Sequence, residues 1–215
     1  TGLVRQYSLC GDPSHPGELT LAVLNEANSR GGSQWVHHSI STGDVLQFRG
    51  PRNHFPLDET AGQVVFVAAG IGITPLIPMA LKAKQLGIDY VLHYSGKSRK
   101  NMAFVDSLLS VHGNRLVLHI SDESSRANYK LVLKDFSTEV QVYACGPQGL
   151  LTELESLCAG LPDVILKVEY FQSSANSLDP LHEHAFEIEL KDSGLVVQVP
   201  PDRTVMEALR SVNID

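Results

Sequence analysis

Hydrophobic and polar positions along the chain fall into four textures. Residues 1–58 carry short alternating segments at Val4–Leu9, Leu19–Leu24 and Asp44–Phe48, separated by GDPSHPG, NSRGGS and STGD. Short strands between Gly/Pro/Ser turns predict a small all-β unit, too short to close a barrel alone. QWVHHSI at 34–40 reads as one or two helical turns. From residue 63 to 171 the pattern changes to continuous apolar runs, Val64–Ala68, Tyr90–Tyr94, Leu116–Ile120, Val140–Ala144 and Ile165–Glu169. Helical stretches lie between them near Leu76–Leu86, Ala103–Leu109 and Gln148–Ala159. Strands buried on both faces and alternating with helices predict a doubly wound α/β domain with a parallel sheet. Its ligand is expected beyond the carboxyl ends of the strands.

A polar segment, 172–184 (QSSANSLDPLHEH), reads as a linker. Beyond it Phe186, Ile188 and Leu190 alternate, Lys191–Gly194 turns, and Leu195, Val197 and Val199 match the first run. That is a hairpin. Thr204–Val212 is a helix capped by Thr204, with Glu207 three residues on. The apolar faces carrying Phe186, Ile188, Val197, Val199 and Leu209 find no partner in this stretch. The chain is therefore expected to stop inside a third domain and to continue past Asp215 by about 60–80 residues. A first residue that is Thr rather than Met likewise reads as part of something longer.

Charge and cysteine usage narrow the function. Lys and Arg number 17 against 24 Asp and Glu, a net charge of −7, which argues against a nucleic-acid binder. The 18-residue apolar run Val64–Leu81 is long enough to suggest a membrane span. Gly70, Gly72, Pro75 and Pro78 interrupt it, so it reads as a strand, a turn and a helix. Cys10, Cys145 and Cys158 are too few and too scattered for a disulfide framework or a four-cysteine metal site, and a reducing cytoplasm is expected. His37-His38 and His182-x-His184 lack accompanying ligands at metal spacing and read as surface residues; Cys10 and Cys158 read as structural.

Four constellations carry chemistry. Arg5-Gln6-Tyr7-Ser8 on an extended segment places Arg5 and Tyr7 on one face and Gln6 and Ser8 on the other. The Arg30-Gly31-Gly32-Ser33 turn before a helix offers backbone N–H groups to an anion, with Arg5 as a phosphate fork. Taken singly, these fragments equally fit an exposed Arg and an ordinary turn. The second is Gly70-Ile71-Gly72-Ile73-Thr74-Pro75 directly after an apolar strand, with Thr74 as N-cap and Pro75 as the first helical residue. Glycines there let backbone approach a ligand, although the pattern is not G-x-G-x-x-G. The third is Cys145-Gly146-Pro147 at a strand end, where Cys145 also fits a small buried hydrophobe. The fourth is Glu169-Tyr170-Phe171, closing the last strand.

R-x-Y-S, G-G-S, G-I-G-I-T-P, C-G-P and a closing E-x-F, in this order and spacing, resemble the ferredoxin–NADP⁺ reductase superfamily. Pro51–Leu57 (PRNHFPL) is similar to the phthalate dioxygenase reductase and vanillate demethylase reductase group within it. The resemblance implies three parts: a flavin-binding β-barrel over 1–58 with its first strands missing, an NAD(P)-binding domain over 59–172, and, after a linker at 173–184, the opening of a β-grasp plant-type ferredoxin domain over 185–215. The chain ends before the C-x4-C-x2-C segment that would hold a 2Fe–2S cluster.

The same resemblance implies roles. Arg5, Gln6, Tyr7 and Ser8 lie along an FMN, Ser8 near its reactive edge; Ala22, Val23 and Leu24 supply backbone contacts; Arg30 to Ser33 hold the phosphate. Thr74 and Phe171 contact or cover the ring. Gly70, Gly72, Thr74, Cys145, Gly146 and Pro147 border the nicotinamide nucleotide, with Ser95 and Arg99 in the same set. Ser8, Cys145, Glu169 and Phe171 stand at the hydride-transfer centre. NADH is the favoured donor, although no acid follows Tyr90–Tyr94 and Lys97, Arg99 and Lys100 could meet a 2′-phosphate. The implied activity is hydride transfer from NAD(P)H to FMN, then single-electron transfer through 2Fe–2S to a terminal Rieske-type oxygenase, without nucleic acid or membrane. Two other readings remain: a non-catalytic nucleotide-binding or regulatory domain, and a flavin reductase with a separate electron carrier.

Overall fold

The computed structural model describes residues 4–15, 17–29, 31–124, 126–134, 136, 138–171, 184–191 and 193–214. The chain divides into two compact units, Thr1–Phe171 and Gln172–Asp215. The expected boundary near residue 58 lies inside the first.

The first unit is built on five parallel strands in the order β3-β2-β1-β4-β5. They are β1 (Gln63–Ala69), β2 (Asp89–Gly96), β3 (Leu116–Ile120), β4 (Val140–Cys145) and β5 (Val164–Glu169). β1 and β4 carry Val, Phe, Tyr and Ala on both faces and are almost entirely buried. One face packs Phe66, Tyr90, Leu92, Tyr94 and Tyr143 under α2 (Ile73–Leu86) and α3 (Val105–His112), together with Cys10 and Phe55 from the amino-terminal region. The other packs Val65, Val67, Val142 and Ala144 under α4 (Tyr129–Val132) and α5 (Gln148–Cys158). The chain runs from β1 outward through β2 to β3, then returns to β4 on the opposite side of β1. That reversal opens a crevice at the carboxyl ends of β1 and β4.

The apolar run mistakable for a membrane span is β1, a 3₁₀ turn (Gly70–Gly72) and α2. Among the described residues no helix is long and apolar enough to cross a membrane. The N-cap expected at Thr74 is corrected: α2 starts at Ile73, and the Thr74 hydroxyl donates to the Ile71 carbonyl at 2.9 Å. Pro75, four residues after Ile71, has no N–H to reach that carbonyl, and the Thr74 hydroxyl takes its place. The helix closes at Gly87 (φ 72°), whose N–H bonds the Lys84 carbonyl while that of Ile88 bonds Ala83. This left-handed closure turns the chain into β2.

The amino-terminal region departs from expectation. The segments Val4–Leu9, Leu19–Leu24 and Asp44–Phe48 form no ladder among the described residues. One antiparallel bridge, Leu9 to Leu21, and a Cys10 N–H to Thr20 carbonyl bond join the first two. Alternation sets which side chains share a face, but a strand exists only through its neighbour's hydrogen bonds, and an isolated pair is marginal. The helical turn expected at 34–40 is α1 (Gly32–Ser39).

In the second unit β6 (Phe186–Glu189) pairs antiparallel with β7 (Val196–Val199), and α6 (Val205–Ser211) follows. Thr204 and Glu207 form the capping box read from the sequence. Contrary to the expectation of wholly uncovered faces, α6 lays Ala208 over Val197 and Val199, both buried, with Ile188 and Leu209 at the margin. Phe186 keeps 49% of its surface exposed. Of the linker expected at 172–184, residues 172–183 lie outside the described residues.

Candidate functional site

Parallel pairing sets the ends of three strands side by side. Ala68 pairs with Cys145, and Cys145 with Glu169, so the G-I-G, C-G-P and E-x-F motifs converge at the crevice between β1 and β4. The two turns touch through backbone. A methyl group on Gly72 would lie 2.3 Å from the Cys145 carbonyl oxygen and 2.7 Å from the Gly146 nitrogen. One on Gly146 would lie 3.1 Å from the Ala69 Cβ. Glycine is required at Gly72 by this approach, not by its backbone angles. α5 starts at Gln148, directly after Pro147, with no acidic residue in its first turn. Its free N–H groups and dipole favour an anion at that edge of the crevice.

Ser8 reaches this point from the far end of the unit, its hydroxyl donating to the Glu169 carboxylate at 3.1 Å. Burial raises the Glu169 pKa and the Ser8 bond pulls it back down. Cys145 is fully buried, and its pKa is raised by burial and then by the Glu169 charge. It is therefore held as a neutral thiol, a soft wall rather than a nucleophile.

A second convergence lies in the amino-terminal region. Gly31 adopts φ 88° and caps α1, while the Arg5 side chain runs across Gly32, where an added methyl would lie 2.7 Å from Nε. Arg5 and the Gly31-Gly32-Ser33 turn, 26 to 28 residues apart in the chain, thus share one cradle of guanidinium and backbone N–H groups. That donor set fits a phosphate monoester. Ser33 is buried, its hydroxyl accepting from the Glu26 N–H at 3.3 Å. Arg30 lies outside the described residues. Along the segment from Arg5, Gln6 is exposed and Tyr7 half-buried; Ala22 and Val23 are half-buried, and Leu24 is exposed. The His37 ring bonds the Val23 carbonyl at 2.7 Å. Thr74 is buried with its hydroxyl committed to Ile71, whereas Phe171 is 44% exposed.

At the end of β2, Ser95 pairs with the Tyr129 hydroxyl at 2.7 Å. No acid stands in Ser95–Lys100, and Asp106 of α3 comes to 3.0 Å from Arg99. Below Ser95, His93 and His119 stack at 5.2 Å with their ring nitrogens 2.9 Å apart. Burial holds the His93 pKa down near 4 and lowers that of His119. Tyr129, Asp106 and this histidine pair had no local signature in the sequence, because each contact spans a helix or a strand crossing. Among the described residues no group of three or more His, Cys, Asp or Glu is arranged to hold a metal.

No protein-family model matches the chain. The vanillate O-demethylase oxidoreductase of Pseudomonas putida is 35% identical over 217 residues, covering 99% of this chain and 68% of that protein. The chain spans about two thirds of the length of this and other curated relatives. Among solved structures, an intact type IV self-sufficient cytochrome P450 monooxygenase matches at 48% identity and TM-score 0.92, over 100% of this chain and 28% of that one. Phthalate dioxygenase reductase, described as a modular structure for electron transfer from pyridine nucleotides to [2Fe–2S], matches at 29% identity and TM-score 0.75, over 98% and 66%.

Proposed function

The chain belongs to the vanillate O-demethylase oxidoreductase and phthalate dioxygenase reductase group of the ferredoxin–NADP⁺ reductase superfamily, and on that premise we propose that it is the flavin- and nucleotide-binding part of an oxygenase reductase. It takes a hydride from NAD(P)H onto FMN and passes single electrons through a 2Fe–2S centre to an oxygenase. The observation that carries this reading is the meeting of Ser8, Glu169 and Cys145 beside the nested Gly72 and Gly146 turns.

The resemblance suggests a role for each residue. Arg5 and the Gly31-Gly32-Ser33 turn hold the FMN phosphate, with Arg30 the preceding residue in the sequence. Gln6, Tyr7, Ser8, Ala22, Val23 and Leu24 line the ring, and Thr74 and Phe171 border it. Gly70, Gly72, Gly146 and Pro147 let the nucleotide backbone approach the start of α5, with Ser95 and Arg99 toward its far end. FMN supplies the exchange between two-electron and one-electron chemistry. Ser8 and Glu169 orient the reacting edge and hold a proton there, and neutral Cys145 gives the nicotinamide an apolar wall. The chain has three cysteines, so four thiolates for the cluster cannot all come from it. NAD(P)H use and three free thiols fit a cytoplasmic location.

Two oxygenase partners are distinguishable. The sequence resemblance favours a Rieske-type terminal component. The 48% identity across the chain with a cytochrome P450 monooxygenase favours a haem oxygenase. Anaerobic mixing of the FMN-loaded, full-length polypeptide with NADH or NADPH should bleach the flavin absorbance, and electron delivery to a Rieske or a haem oxygenase then selects the partner. A protein that binds nucleotide but leaves the flavin oxidised would support the non-catalytic reading. Bleaching without iron in the full-length protein would support a separate carrier.

A further inference from the structure

One pleat below the site, a polar network joins the sheet to the segment that enters it. Lys167 lies two residues before Glu169 on β5, and Tyr143 two before Cys145 on β4, all on one face and in register. The Lys167 ammonium donates to Gln141 Oε1 at 2.8 Å and to the Tyr143 hydroxyl at 3.1 Å. Tyr143 donates in turn to Gln141 Oε1 at 3.1 Å. The Gln141 amide donates to Asp58 Oδ2 at 2.7 Å, and the Asp58 N–H donates to the Tyr143 hydroxyl at 2.8 Å. Phe55 meets the Tyr143 ring edge-on at 5.5 Å. Tyr143 is fully buried and Gln141 nearly so.

Lys167 and Asp58 orient Gln141 together. An ammonium only donates, so Oε1 turns toward it, and a carboxylate only accepts, so the NH₂ turns toward Asp58. Without the cation, Oε1 keeps only the Tyr143 hydroxyl as donor, and the link from β5 to the Asp58 segment is lost. The amino-terminal region is thereby fixed to the sheet at two heights on one face, by Ser8 on Glu169 and by Phe55 and Asp58 on Tyr143 and Gln141. Two attachments set an angle where one sets only a contact.

Resting on the function proposed above, we propose that Lys167, acting through Gln141, Tyr143 and Asp58, is a positioning residue that sets the flavin-bearing segment against the nucleotide crevice for hydride transfer. Lys167→Met keeps the stem and removes the donors. Asp58→Asn keeps the acceptor for Thr60 and places an NH₂ against the Gln141 NH₂, so it tests the same contact where Lys167→Met does not fold. Lys167→Arg retains charge and donors.

The test is stopped-flow flavin reduction by NADH in the FMN-loaded, full-length polypeptide, with melting temperature measured in parallel. Lys167→Met and Asp58→Asn should lower the reduction rate at saturating NADH by roughly 10- to 100-fold, the cost of about 1 Å of misplacement. The nucleotide Kd should stay within about threefold, because the crevice itself is untouched. Lys167→Arg should restore most of the rate. Wild-type rates in Lys167→Met or Asp58→Asn, a loss expressed in Kd alone, or a loss that Lys167→Arg fails to restore would overturn the proposal. A wild-type protein that NADH does not reduce would overturn the functional reading beneath it.

Discussion

Gly72→Ala is the sharpest perturbation of the nested turns. The added methyl would sit 2.3 Å from the Cys145 carbonyl oxygen, 2.5 Å from its carbon and 2.7 Å from the Gly146 nitrogen. All three are backbone atoms, so no side chain can swing aside. Ordinary contact begins near 3.4 Å, and the two turns must part by about 1 Å. Overpacking of this kind costs about 1–3 kcal/mol. In a unit of this size each kcal/mol lowers Tm by roughly 2–4 °C. The shift also moves Cys145 relative to Gly70–Gly72, and a displacement near 1 Å is expected to slow hydride transfer by about 10²-fold. Gly87→Ala, at the far end of α2, is the control: its methyl meets nothing within 4 Å, and the penalty is the left-handed φ of 72° alone, about 1–2 kcal/mol. Flavin-fluorescence melts and stopped-flow reduction measure both effects. Gly72→Ala with wild-type Tm and reduction rate, or a larger rate loss at Gly87 than at Gly72, would refute the nesting of the turns.

Cys145→Ala and Glu169→Gln should each slow flavin reduction more than they weaken FMN binding, since both lie at the crevice and away from the Arg5–Gly32 cradle; rapid-mixing rates set beside equilibrium flavin titration decide it. Asp106→Asn removes the carboxylate beside Arg99 and should raise the kcat/KM ratio of NADPH to NADH by about tenfold, or roughly 1.4 kcal/mol; an unchanged ratio would remove Arg99 from the nucleotide site. His93 is held neutral, with its pKa depressed to about 4. Its contribution to stability is complete above the unfolded value near 6.5 and is lost as pH falls toward 4, on the order of 3 kcal/mol in all. Urea melts should show that slope, and His93→Gln should flatten it; equal slopes in both proteins would contradict the assignment.

The five strands were legible because each is a continuous apolar run punctuated by Gly, Pro or polar turns, and burial on both faces of a sheet selects that pattern. The Thr204–Glu207 box was legible because both partners lie within one helical turn. Long-range partners were not. Val4–Leu9 and Asp44–Phe48 alternate well enough, yet alternation cannot supply the neighbouring strand that turns a segment into a ladder. Thr74 read as a cap because its type and position fit one, but Pro75 withdrew an N–H and the hydroxyl went to Ile71. Of the candidate site, the members at strand ends could be read by motif, whereas Asp106, Tyr129 and Lys167 gain their roles only when separate elements meet.

The Ser8–Glu169 hydrogen bond joins residues 161 apart, nearly the two ends of the first unit. Contacts of such separation form late, once the intervening sheet has collapsed and shortened the loop to be closed. Among the described residues, the amino-terminal region is joined by this bond, the Leu9–Leu21 bridge and the Asp58 network rather than by a ladder, so its opening free energy should lie below that of the sheet. Assembly of the site is then a final folding step of its own. On the proposed function, a nascent or nicked chain with a complete sheet and crevice should remain redox-silent, and the ability to accept a hydride should gauge complete folding.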